Sequence, residues 1–225
     1  MPDLDFKVTG VEGAVHGIVP LLHFKLEVTN IPETETIQSV MLQTQIQIHP
    51  TLRTYADGEK EKLSELFGAP EQWGQSLRAR LWTHSNANIR QFAGRTETIL
   101  SVPCTYDLNV AATKFFYALE GGEVPLLFLF SGTIFYEEPD GRLQIQQVSW
   151  NKECTYRMSI TIWQEIMDQH YPNSAWIPLE RGVFDRLYEY RRRVGVSSWE
   201  QTIERLLTQN DEVRMTKPET MTNGE

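Results

Sequence analysis

VPLLFLFSGTIFY, residues Val124 to Tyr136, is apolar without a break from Leu126 to Phe130 and again from Ile134 onward. A strand with one wet face alternates apolar and polar residues, whereas a strand covered on both faces reads as a continuous apolar run. The Phe, Ile and Thr content and the turn signals on either side, Gly121-Gly122 and Pro139-Asp140-Gly141, favour a strand over a buried helix segment. Pro125 suits the start of a strand, where no ladder donor is needed. Each large side chain buried here contributes roughly 1.5–3 kcal/mol, which makes this the stretch least tolerant of a charge. The Glu138–Gly141 sequence, EPDG, then reverses the chain. It predicts that Arg142 to Trp150 pairs antiparallel with the central strand.

Upstream, the period is two. Leu4, Phe6 and Val8 alternate with polar residues, as do Leu22, Phe24, Leu26 and Val28. Val40, Leu42, Ile46 and Ile48 share a third such face. An inserted helix pair interrupts the pattern near 57–76, with Asp57 as its cap and Gly68 and Pro70 at the break. Leu77 to Ile89 returns to extended structure. There Leu81, Thr83, Ser85, Ala87 and Ile89 are expected to face the core, and Trp82, His84, Asn86 and Asn88 to face out. After a strand through Thr98, Leu100 and Val102, Asp107 is expected to cap a helix from Leu108 to Leu119, striped with Leu108, Ala111, Ala112, Phe115, Phe116 and Leu119. Downstream, Cys154 to Ile162 alternates as a last strand. Helices follow at Trp163–Tyr171 and Glu180–Val194, and SSWE at Ser197–Glu200 reads as a capping box opening another. Phe184, Leu187 and Tyr188 are expected to point inward on one helix, and Trp199, Ile203, Leu206 and Leu207 on the next. The fold class that follows is α+β: a mostly antiparallel β-sandwich of about eight strands, with the inserted helix pair and a C-terminal helical annex. The expected organisation is a core over 1–162, an annex over 163–208 packed on it, and a disordered tail over 209–225.

The net charge of −9 argues against a nucleic-acid or anionic-membrane surface, which needs a basic field. No apolar run approaches the ~20 residues of a membrane helix, and MPDLDFKVTG is not a signal peptide, so a cytoplasmic protein without membrane insertion is expected. Cys104 and Cys154 do not make a disulfide framework and read as buried thiols. The five histidines show no metal-ligand spacing. There is no phosphate-binding glycine loop and no nucleophile elbow. The helix order after Ala175 is similar to a ribbon–helix–helix unit, but the Trp176–Leu179 ribbon is apolar and the chain acidic, which disfavours DNA binding. No catalytic residue, metal ligand or cofactor is therefore assigned. The candidate binding residues are Arg80, Trp82, His84 and Asp107 at one end of the sheet, together with Trp176. Trp73 and Trp199 complete the aromatics weighed as interface candidates.

Longer motifs carry a resemblance. CTYDLNVAATKFF from Cys104, ALEGGEVPLLFLFSGTIFY, SWNKECTYRM, WQEIMDQHYPNSAWIPL and the upstream ELFGAPEQWGQSLRARLWTH together resemble a bacterial family of unknown function. Its genes often lie beside those for uptake nickel–iron hydrogenases and their accessory factors. The resemblance implies a non-enzymatic accessory or interaction protein, with a hydrogenase subunit or maturation factor as partner, and it transfers no catalytic residue. The alternatives are a small-molecule or metal-binding module near Arg80, His84 and Asp107, or an enzyme of unrecognised type.

Overall fold

A computed structural model describes residues 1–14, 17–107, 109–138 and 140–215, the last six by backbone alone. Pro139 in the expected turn, Leu108 in the expected helix stripe and the tail from 216 onward lie outside the described residues. Packing divides the chain into a unit of Met1–Ala175 and a unit of Trp176–Glu225.

The first unit holds two antiparallel sheets. One runs in the order β1 (Asp3–Gly13), β2 (Leu21–Ile31), β6 (Arg95–Pro103). The other runs β4 (Arg80–Ile89), β3 (Thr36–Ile48), β7 (Glu123–Glu137), β8 (Leu143–Gln147), with β5 (Phe92–Ala93) on β3 and β9 (Glu153–Ser159) on β7. The central apolar stretch is β7. It pairs with β3 from Leu126 to Tyr136 on one side, and with β9 and then β8 on the other. Its even-numbered residues Phe128, Phe130 and Ile134 are buried, whereas Leu127, Leu129 and Phe135 are only half-buried. The strand therefore alternates after all; apolar residues on its second face hide the period.

The sheets meet through those even positions. Phe130 stacks on Phe6 with ring centres 4.4 Å apart, and Phe128 meets Phe24 edge-on at 5.2 Å. At Gly132 the backbone of β3 comes so close that a Cβ would run into the Met41 carbonyl oxygen and lie 3.1 Å from the Leu42 Cα, and φ is +153°. Glycine is needed there on both counts.

Helices close one end of the sandwich. α1 (Asp57–Phe67), α3 (Val110–Ala118) and α4 (Ile160–His170) meet in an aromatic cluster. Phe115 contacts Phe67, and Phe116 contacts both Trp82 (5.0 Å) and Trp163 (5.1 Å). A short 3-10 turn at Pro70–Gln72 and α2 (Trp73–Ser76) link α1 to β4. Four boundaries differ from the sequence reading. α3 is capped by Asn109, whose Oδ1 accepts the Ala112 N–H at 3.0 Å, and not by Asp107. α1 has no side-chain cap at its N-cap residue; instead Glu59 reaches back to the Ala56 N–H. Ile160 and Ile162 belong to α4 rather than to the strand, and Ile160, Trp163, Ile166 and Met167 are its buried residues. The first compact unit accordingly extends to Ala175 rather than ending at 162.

The second unit contains α5 (Arg181–Val194) and α6 (Trp199–Met215). Gly195 ends α5 in the left-handed conformation, its N–H bonded to the Arg191 carbonyl at 3.1 Å. The cap of α6 is Ser198, one residue later than SSWE suggested: its Oγ accepts the Gln201 N–H at 3.1 Å. The stretch 209–215 is helical rather than a tail.

Candidate functional site

The residues singled out at the end of the sheet do not converge. A bulge decides this. Ile46 pairs with Thr83 but Gln47 with Leu81, so Trp82 is the extra residue of β4. The phase of the strand reverses there. Trp82 turns into the core against Phe24 and Phe116, correcting its expected outward position, and Leu81 is exposed. His84 stays exposed on β4, and Asp107 is exposed before α3. Trp176 lies in the second unit and is 40% exposed.

Arg80 does line a cavity. A 210 Å³ pocket is bounded by Ile48, Pro50, Phe67, Arg80, Leu81, Asn109, Ala111, Ala112 and Phe115. The guanidinium carbon of Arg80 sits 4.8 Å from the centre of the Phe67 ring, and Nη2 donates to the Leu66 carbonyl at 3.3 Å. Asn109 builds the wall. Its Nδ2 donates to the Leu81 and Trp82 carbonyls at 3.1 and 2.9 Å while its Oδ1 caps α3, so one side chain fixes the helix start against the bulged strand. Sequence reasoning missed Asn109 because Asp107 is an equally good capping residue two positions earlier.

A second, wider cleft of 630 Å³ is lined by Thr51, Leu52, Arg53, Thr54, Gly122, Glu123 and Arg157. Its central charge is already spoken for. Arg53 pairs with Glu59 at 2.8 Å, both side chains being more than nine-tenths buried, and also donates to the Gly121 carbonyl. Glu59 accepts the N–H groups of Ala56 and Glu120 besides. This network ties α1 to the loop before β7 and is structural.

The thiols are free and not activated. Cys104 is buried, and burial pushes its pKa up to about 12; burial also raises that of Cys154. Both nitrogens of the His170 ring bond to carbonyls, of Ile166 and Gly17. Among the described residues no three His, Cys, Asp or Glu side chains are grouped to hold a metal ion. No helix among them is long and apolar enough to cross a membrane.

In the second unit the apolar residues at helical spacing are not buried. Phe184, Tyr188 and Trp199 cluster at 5.4–6.4 Å between ring centres, with the Arg191 guanidinium 4.2 Å from the Trp199 ring. Phe184 and Tyr188 nevertheless remain exposed, as do Ile203, Leu206 and Leu207, and α5 has no buried residue. This corrects the expectation of a buried face on each helix.

The family of unknown function DUF6084 matches over residues 1–215. The chain belongs to that family. No curated protein matches it. Among solved structures, a protein assigned as ApaA of Bordetella pertussis is 11% identical, with 70% of this chain and 94% of that one covered and a TM-score of 0.27. A protein assigned to the late embryogenesis abundant group is 12% identical over 70% of this chain and 71% of that one, at a TM-score of 0.29. Likenesses this distant carry no argument about this DUF6084 chain.

Proposed function

We propose that this DUF6084 protein is a non-enzymatic accessory protein that binds a protein partner through the apolar stripes of α5 and α6. The observation that carries this reading is the exposure of large apolar side chains on both helices, from 36% at Leu206 to 61% at Leu207. Apolar residues at i, i+4 and i+7 spacing stabilise a helix only when something covers them. Charge narrows the partner. α5 carries Arg181, Arg186, Arg191, Arg192 and Arg193 against Asp185 and Glu189. α6 carries Glu200 and Glu204 against Arg205, so it is the α5 side of the surface that a partner's carboxylates would complement. The family resemblance adds a nickel–iron hydrogenase subunit or maturation factor as the first partner to test, and that choice rests on the resemblance alone.

The test is recovery of the tagged full-length protein from its native host, with mass spectrometry and metal analysis of one eluate, beside a Phe184→Asp/Leu207→Asp variant. A stoichiometric acidic-rimmed partner that the variant loses is the expected result. Retention of the partner by the variant, or a partnerless wild-type eluate, overturns the reading.

A further inference from the structure

The 210 Å³ cavity beside α3 has an unmet charge. Arg80 is partly buried, and among the described residues no carboxylate lies within ion-pair distance of it. Its Nε–H is buried without any acceptor, although Nη2 bonds to the Leu66 carbonyl. Partly burying a guanidinium with a neutral carbonyl and a ring face as its only partners is costly.

The rest of the lining says what would complete it. Phe67, Phe115, Ile48, Pro50 and Ala112 make the walls apolar. Asn109, the other polar side chain there, has its amide fully engaged. The first turn of α3 reaches the cavity at Ala111 and Ala112, adding the positive end of a helix dipole to the Arg80 charge. The volume is below the ~300–1,000 Å³ of pockets for drug-sized ligands and above the ~150 Å³ that suffices for a benzene-sized guest. We infer that this cavity binds a carboxylate attached to one apolar group, a ring or a short chain, with the carboxylate on the Arg80 guanidinium and the apolar group between Phe67 and Phe115. The carboxylate can belong to a free small acid or to the C-terminus of a polypeptide ending in an apolar residue. The inference is independent of the helix-pair reading, since every lining residue belongs to the first unit.

The test is titration of the ¹⁵N-labelled full-length protein, following the Arg80 Nε–H signal and the amides of Ala111 and Ala112. The probes are sodium benzoate, sodium hexanoate, benzyl alcohol, and a short peptide ending in Phe with a free or an amidated terminus. Saturable shifts with a carboxylate probe, absent with benzyl alcohol and the amidated peptide, are expected. A response to the free acids alone assigns a small-molecule ligand; a response to the peptide acid alone assigns a chain terminus. Arg80→Met weakens binding about tenfold or more, the loss of one charge-assisted contact. Wild-type spectra that do not respond to any carboxylate, or respond equally to the neutral probes, overturn the inference without reliance on a variant that could misfold.

Discussion

At Cys104 one residue sets a pH dependence. Its thiol is buried and donates to the Val102 carbonyl at 3.5 Å, and burial raises its pKa from 9.0 to about 12. Below pH 9 the thiol is protonated in folded and unfolded chains alike, so the full stabilisation is present. Above pH 9 the unfolded chain loses the proton while the folded chain keeps it. Stability therefore falls as pH rises from 9 toward 12, with a limiting slope of about 1.4 kcal/mol per pH unit. Cys154, Tyr55 and Tyr117 are also raised by burial and act in the same direction, the tyrosines above pH 10. Denaturant midpoints at pH 8 and pH 9.5 check this: the decline between them is expected to be shallower in Cys104→Ala than in the wild type. An equal decline would show that the thiol is not protected by folding.

Glu59 and Arg53 act at the scale of elements, because their bonds run from α1 to the loop that feeds β7. Glu59→Ala leaves a buried guanidinium and the Glu120 N–H without their carboxylate, and a loss of about 3–5 kcal/mol is expected. The Glu59→Ala/Arg53→Met double variant removes both charges and is expected to be more stable than the sum of the single changes, by a double-mutant cycle in urea. This network was not legible in the sequence, since its members are brought together only when α1 packs beside the 120–123 loop. What was legible followed from regular periods: the strands around Phe6, Phe24, Leu42 and Phe128, and the amphipathic stripe with Phe115 and Phe116. The errors fall where a period breaks or changes. A single bulge residue moved Trp82 from surface to core. Ile160 and Ile162 kept the alternation of β9 for a few residues after the helix had begun. Of the residues lining the 210 Å³ cavity, Arg80 stands out in the sequence by its charge near a strand start. Phe67 and Asn109 come from separate segments, which only the fold brings beside it.

For the whole molecule, the distribution of burial fixes an order of opening. β2, β3 and β7 carry the fully buried side chains Phe24, Leu26, Ile46 and Phe128, and β3 and β7 each have paired neighbours on both edges. Opening them exposes the core, so their amides exchange only at a free energy near that of global unfolding. α5 has 14 residues and buries none of them. A helix of that length is marginal in water without tertiary cover. Hydrogen exchange of the free protein is therefore expected to show α5 and the first turns of α6 exchanging orders of magnitude faster than β3 and β7. Phe184→Asp should leave the protection of β3 and β7 unchanged, because the residue contributes nothing to that core. Adding a partner that covers the stripes should slow exchange in α5 and α6 selectively, whereas benzoate, acting at Arg80, should slow it around α3 and the start of β4. If α5 is instead as protected in the free protein as β7, its apolar stripe is already covered, and the exposure on which partner binding depends is not present in solution.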